Sequence, residues 1–131
     1  AASALQSQST SNVCSFAQRG ALAALQGSRD CISAMAKKYN SRRDLLTEGL
    51  RNIQGVSIVP PEGAFYAFPQ LPENSPNSME FCERVLDEVG LAIVPGIAFG
   101  EDRCVRVSCS ASSEVISKGL QRLEEFILRL Q

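Results

Sequence analysis

Four stretches of this chain carry apolar residues at helical spacing, and between them lie short runs of β-branched and aromatic residues bounded by proline and glycine. From Val13 to Gln26, the residues Phe16, Ala17, Gly20, Ala21, Ala24 and Leu25 form a helix face of small side chains, which Gly27 ends. A longer helix is predicted from Ser28 to about Asn52, with Asp30 in its first turn and an apolar stripe of Ile32, Met35, Ala36, Tyr39, Leu45, Leu46, Leu50 and Ile53. Ser78 reads as the cap of a third helix, bearing Met79, Phe81, Cys82, Val85, Leu86 and Val89 and stopped by Gly90. The last helix follows Ser112 or Ser113, with apolar residues from Val115 to Leu130 at a 3-4-3-4 spacing. Ahead of them all, Leu5 to Asn12 is hydroxyl-rich and without apolar period, which predicts a loop offering N-caps to the first helix.

The remaining segments read as strands. Val56 to Val59 and Ala64 to Phe68 flank the turn Pro60-Pro61-Glu62-Gly63 and are predicted to pair as a hairpin. Pro69 to Asn77, rich in proline and asparagine, predicts a mobile loop, and Leu91 to Val94 and Arg103 to Ser108 are the other strands. Together these elements predict an α+β fold: a small, mostly antiparallel sheet of three to four strands, covered by helices on one face and preceded by a long helix.

Composition narrows the function classes. The 131 residues are 44% hydrophobic and 21% charged with a net charge of −1, so one core is expected, and neither nucleic acid nor a membrane surface is an expected partner. No apolar run reaches the roughly 20 residues that cross a bilayer, and no signal-peptide pattern opens the chain, which reads as cytoplasmic. The start, Ala1-Ala2-Ser3, reads as that of a piece cut from something longer. Five cysteines without a C-x-x-C pair argue against a disulfide framework or a zinc site, and predict reduced, mostly buried thiols. The chain has no histidine, which removes Ser-His triads, histidine acid-base chemistry and most metal sites.

One residue remains with a chemical role in view. In Arg103 to Cys109 the side chains alternate, so Val105 and Val107 share one face while Cys104, Arg106 and Ser108 share the other. A strand pre-positions the Arg106 guanidinium, whose planar fork grips a carboxylate through two parallel hydrogen bonds. Plain solvent exposure on the outer face of a half-covered sheet accounts for Arg106 equally well.

Three segments in order, Gln6-Ser-Gln-Ser-Thr-Ser-Asn12, Pro61-Glu-Gly-Ala-Phe-Tyr-Ala-Phe68, and Val94-Pro-Gly-Ile-Ala-Phe-Gly100 followed by Val105-Arg-Val-Ser108, resemble the C-terminal part of class I pyridoxal-phosphate aminotransferases. The likeness is to the bacterial-type aspartate or prephenate enzymes and covers the whole chain. It implies a loop and helix from the end of a large cofactor-binding domain over residues 1–27 and the small C-terminal domain over 28–131. It also implies that Arg106 binds the substrate α-carboxylate, that Phe65 lies near the substrate, and that the Gly63 loop and the Pro95-Gly96 turn border the active-site mouth. Ser9, Thr10 and Asn12 would run near the cofactor across a homodimer. A core aromatic is the simpler reading of Phe65, and an ordinary turn glycine that of Gly63 and Gly96. The sequence departs from the family pattern at Val13, often proline, and at Glu101-Asp102-Arg103, where a glycine is common.

The resemblance implies amino-group exchange between an amino acid, of the aspartate or glutamate type, and a 2-oxo acid. Pyridoxal 5'-phosphate would be held by a lysine outside this chain, so that the chain alone carries no catalytic residue and no activity. Ser117-Lys118 imitates the family's serine-lysine pair but falls on the polar stripe of the last helix, and is assigned to solvent. A second reading is a free-standing α+β module that binds amino acids for regulation, without catalysis.

Overall fold

The computed structural model describes residues 1–130. Its elements are α1 (Ala2–Ser9), α2 (Ser15–Gln26), α3 (Asp30–Asn52), β1 (Tyr66–Ala67), α4 (Ser78–Val89), β2 (Val94–Pro95), a 3-10 turn (Gly96–Phe99), β3 (Val105–Ser108) and α5 (Ser113–Leu130). The chain divides into two compact units, Ala1–Ala34 and Met35–Gln131, and the division falls inside α3.

In the first unit the segment predicted as a loop is helical as far as Ser9. Its hydroxyls fold back instead of capping: Ser9 Oγ donates to the Leu5 carbonyl at 2.9 Å and Thr10 Oγ1 to that of Gln6 at 3.2 Å. Cys14 stands at the N-cap of α2 and offers no side-chain hydrogen bond there, and Gly27 ends the helix with extended backbone. Ser28 Oγ accepts from the Asp30 N–H at 3.1 Å, which opens α3 close to where the sequence places it.

The second unit holds the core. The α3 stripe is buried only in its C-terminal half, through Leu46 and Leu50 with Ile53 just beyond, while Ile32 and Met35 are exposed. Helices α4 and α5 meet through Phe81 and Phe126, both fully buried, with ring centroids 5.3 Å apart and planes at 87°. That edge-to-face contact adds about 0.5–1.5 kcal/mol to the burial of each ring. Asn77, not Ser78, caps α4, accepting from the Glu80 N–H at 3.0 Å, and Gly90 stops it in the left-handed region at φ 64°. Ser112 Oγ accepts from the Val115 N–H at 3.3 Å and opens α5.

Among the described residues the sheet has three antiparallel strands in the order β1-β3-β2. The predicted hairpin does not form. The partner that Val56–Val59 would need, Tyr66–Ala67, is taken by β3, and Val59 stands exposed. Ser57 instead exchanges both backbone hydrogen bonds with Gln70, at 2.8 and 3.2 Å, while Tyr66–Ala67 pairs with β3. The segment predicted as a mobile loop is thus stitched to the sheet at its start: Leu71 N–H donates to Arg103 at 2.9 Å, Val105 N–H donates to Pro69 at 3.1 Å, and both Pro69 and Leu71 are buried.

Candidate functional site

Strand β3 lies in the middle of the sheet. Val94 stands opposite Arg106 on β2, and on β1 Tyr66 stands opposite Ser108 and Ala67 opposite Val107. A strand paired on both sides has its backbone fixed, and with it the direction of each Cβ. The alternation read from the sequence holds on the side toward the core, where Val105 is fully buried and Val107 packs against the core.

The opposite side carries the candidate chemistry. Arg106 is half-buried, and its guanidinium carbon lies 4.3 Å from the centroid of the Tyr66 ring and 4.6 Å from that of Phe99. Tyr66 reaches it as the diagonal cross-strand neighbour, two positions from its partner Ser108. Phe99 comes from the 3-10 turn that follows β2. Each ring face attracts the cation, by about 0.5–2 kcal/mol depending on exposure. Among the described residues no carboxylate pairs with Arg106 and no acceptor takes its N–H groups, whereas Arg43, Arg84 and Lys118 are paired with Asp44, Glu88 and Glu114. A stacked guanidinium with free donors suits an incoming planar anion.

The aromatic wall continues on both sides. Phe65 lies 4.4 Å from Tyr66 and 6.4 Å from Tyr39 between centroids, and Phe68 meets Phe99 edge-on at 6.0 Å. Phe65 is 42% exposed, so the core position expected of it is not found; in the row of aromatics that reaches Arg106 it forms part of an open face. The sequence reading singled out neither Tyr66 nor Phe99 as a cover for Arg106, because both reach it through contacts across the fold.

The turn glycines differ. A Cβ on Gly96, which is buried, would strike the backbone carbonyls of Cys104 and Glu101. Gly96 N–H donates to Cys104 at 2.9 Å and Glu101 N–H returns to Gly96 at 3.1 Å, binding the turn to the strand that carries Arg106. A Cβ on Gly63 would meet open space, and the left-handed residue of that turn is Ala64 at φ 58°. The turn conformation expected to explain Gly63 is therefore carried by its neighbour.

Burial raises the thiols of Cys104 and Cys109 above the ordinary cysteine value and pushes Cys82 up to about 11, so these three stay protonated near neutrality. Cys14 and Cys31 are exposed, which leaves three of the five cysteines buried as expected. Asp102, in the turn before β3, is held below the ordinary carboxylate range by two hydrogen bonds from Ser78. The apolar cavity of about 210 Å³ beside β3 is lined by Leu46, Leu50, Val107, Ile116, Leu120 and Leu123, carries no charge and excludes Arg106.

The three lysines of the chain all stand at exposed helix positions. Lys37 and Lys38 are exposed on α3, and Lys118 is paired with Glu114 at 3.0 Å on the outer face of α5, as the sequence reading of Ser117-Lys118 expected. Ser9 and Thr10 donate to their own helix, and Asn12 is exposed.

The arrangement has close counterparts among known proteins. An aspartate aminotransferase from Rhizobium meliloti superimposes with a TM-score of 0.90 at 31% identity, over 96% of this chain and 34% of that one. This defines the class, an α+β unit of the aspartate aminotransferase fold. Residues 1–123 match the family "Aminotransferase class I and II", and the chain belongs to that family. The aspartate aminotransferase of Bacillus subtilis is 37% identical over 94% of this chain and 33% of its own length. A Petunia hybrida protein described as a bifunctional aspartate aminotransferase and glutamate/aspartate-prephenate aminotransferase is 34% identical over 97% of this chain and 29% of its own. The chain thus spans about a third of the length of the relatives it matches.

Proposed function

We propose that the chain is the C-terminal part of an aminotransferase that moves an amino group between an amino acid, of the aspartate or glutamate type, and a 2-oxo acid. The observation that carries this is Arg106, fixed on a doubly paired strand, stacked on two rings and left with its donors free. Its task is to grip the substrate α-carboxylate through two hydrogen bonds and so fix the orientation of the Cα that reacts. Phe65 and the Gly63 turn would border the bound substrate, and Ser9, Thr10 and Asn12 would approach the cofactor of a second subunit in a homodimer. Residues 1–27 would close the large domain and residues 28–131 form the small one. Pyridoxal 5'-phosphate, the electron sink for such an exchange, would be held by groups outside this chain.

Replacing Arg106 by lysine keeps the charge and removes the fork. In the intact enzyme kcat/KM is expected to fall by about a hundredfold or more, which corresponds to a few kcal/mol for a bidentate contact with a charged group. An Arg106→Lys enzyme with unchanged kcat/KM overturns the assignment.

A further inference from the structure

Ser78 is the first residue of α4 and is fully buried, and its hydroxyl both donates and accepts across the fold. Its N–H and its Oγ–H both donate to the same carboxylate oxygen of Asp102, at 2.9 and 2.7 Å. Its Oγ in turn accepts from the N–H of Ile97 at 3.1 Å. A hydroxyl that donates and accepts at once has its rotamer fixed. One serine therefore ties the start of α4 to two consecutive turns about twenty residues later: the 3-10 turn and the turn that leads into β3.

Two of those segments make the surroundings of Arg106. Ile97 stands two residues before Phe99, the ring over the guanidinium, and Asp102 stands two residues before Cys104, whose carbonyl holds Gly96. We infer that Ser78 and Asp102 are positioning residues for the carboxylate clamp: through the 3-10 turn they hold the Phe99 ring on Arg106 and so keep the guanidinium fork aimed before substrate arrives. The inference rests on reading Arg106 as the α-carboxylate contact. Freed of its Phe99 cover, the long arginine side chain regains rotamers that binding must then remove, so the loss falls on affinity for carboxylates.

The test uses the intact enzyme with Asp102→Ala, Asp102→Asn and Ser78→Ala, beside Arg106→Lys as the reference. The readouts are KM and kcat for the amino acid, and competitive inhibition by propionate compared with uncharged propionamide. Asp102→Ala is expected to raise KM and the propionate Ki together by about three- to tenfold, with kcat changed by less than about twofold and propionamide unaffected. Asp102→Asn, whose Oδ1 still accepts from Ser78, is expected to stay within about twofold of the parent. Asp102 is exposed, so its variants decide the matter even where Ser78→Ala fails to fold. An unchanged propionate Ki in Asp102→Ala while Arg106→Lys raises it overturns the positioning role, as does an equal loss in Asp102→Asn. A propionate Ki unmoved by Arg106→Lys overturns the reading of Arg106 itself.

Discussion

Helices α2 and α5 both carry an apolar face and end in opposite circumstances. The face of α2 is mostly small and that of α5 mostly large, yet each includes a phenylalanine: Phe16 in α2 is 80% exposed and Phe126 in α5 fully buried. The contrast extends to the units they belong to: every residue of Ala1–Ala34 is exposed, whereas Met35–Gln131 closes a core around Leu50, Phe81, Val85, Val105 and Phe126. An amphipathic pattern gives a helix a face to bury and says nothing of where the covering surface comes from. For α5 it is in the same unit, in α4 and β3; for α2 none is present within its own unit.

The largest effect separates the two faces. Phe126→Ala is expected to lower the stability of the chain by about 3–5 kcal/mol, and Phe16→Ala to change it by less than about 0.5 kcal/mol, both measured by denaturant unfolding. A comparable loss for Phe16 would break the contrast. The same pair measured in the intact enzyme sharpens it, since a costly Phe16→Ala there shows that the remaining polypeptide or a second subunit covers α2.

Glycine substitutions should differ in sign. Gly96→Ala drives a methyl into two carbonyls and is expected to cost about 1–3 kcal/mol, while Gly20→Ala in α2, where a Cβ meets open space, should gain about 0.5–1 kcal/mol. Thermal midpoints that moved in the same direction would refute the difference in packing. Capping gives a smaller step: Asn77→Ala removes the acceptor for the Glu80 N–H and should cost about 1 kcal/mol by the same unfolding assay.

The smallest effect is a pH dependence confined to the second unit. Asp102 is held below the ordinary carboxylate range in the folded chain by the Ser78 hydrogen bonds. Its folded state therefore binds its proton less readily than the unfolded state. The resulting stabilisation is present above the unfolded-state value and is lost as pH falls through the lowered folded one. Unfolding midpoints of the parent and Asp102→Asn should differ near neutrality and converge in acid, and a constant gap would exclude this linkage.

What the sequence determined by itself is what local physics decides. The 3.6-residue period and its stop signals located α3, α4 and α5, because amphipathic burial and the left-handed Gly90 are written within a few residues. Period-two alternation likewise put Arg106 opposite the core side of its strand. Tertiary structure alone decided which strands pair, since alternation names a face and never a partner. The hairpin expected from Val56–Val59 gave way to pairing between Tyr66–Ala67 and a strand about forty residues later, with Ser57 reaching Gln70 instead. It also decided that Ser78, in a position that reads as a simple cap, is buried against Asp102, and that Phe99 lies over Arg106. Hydrogen bonds and ring contacts between residues seven to twenty-four positions apart leave no periodic trace, and only the closed fold brings them together.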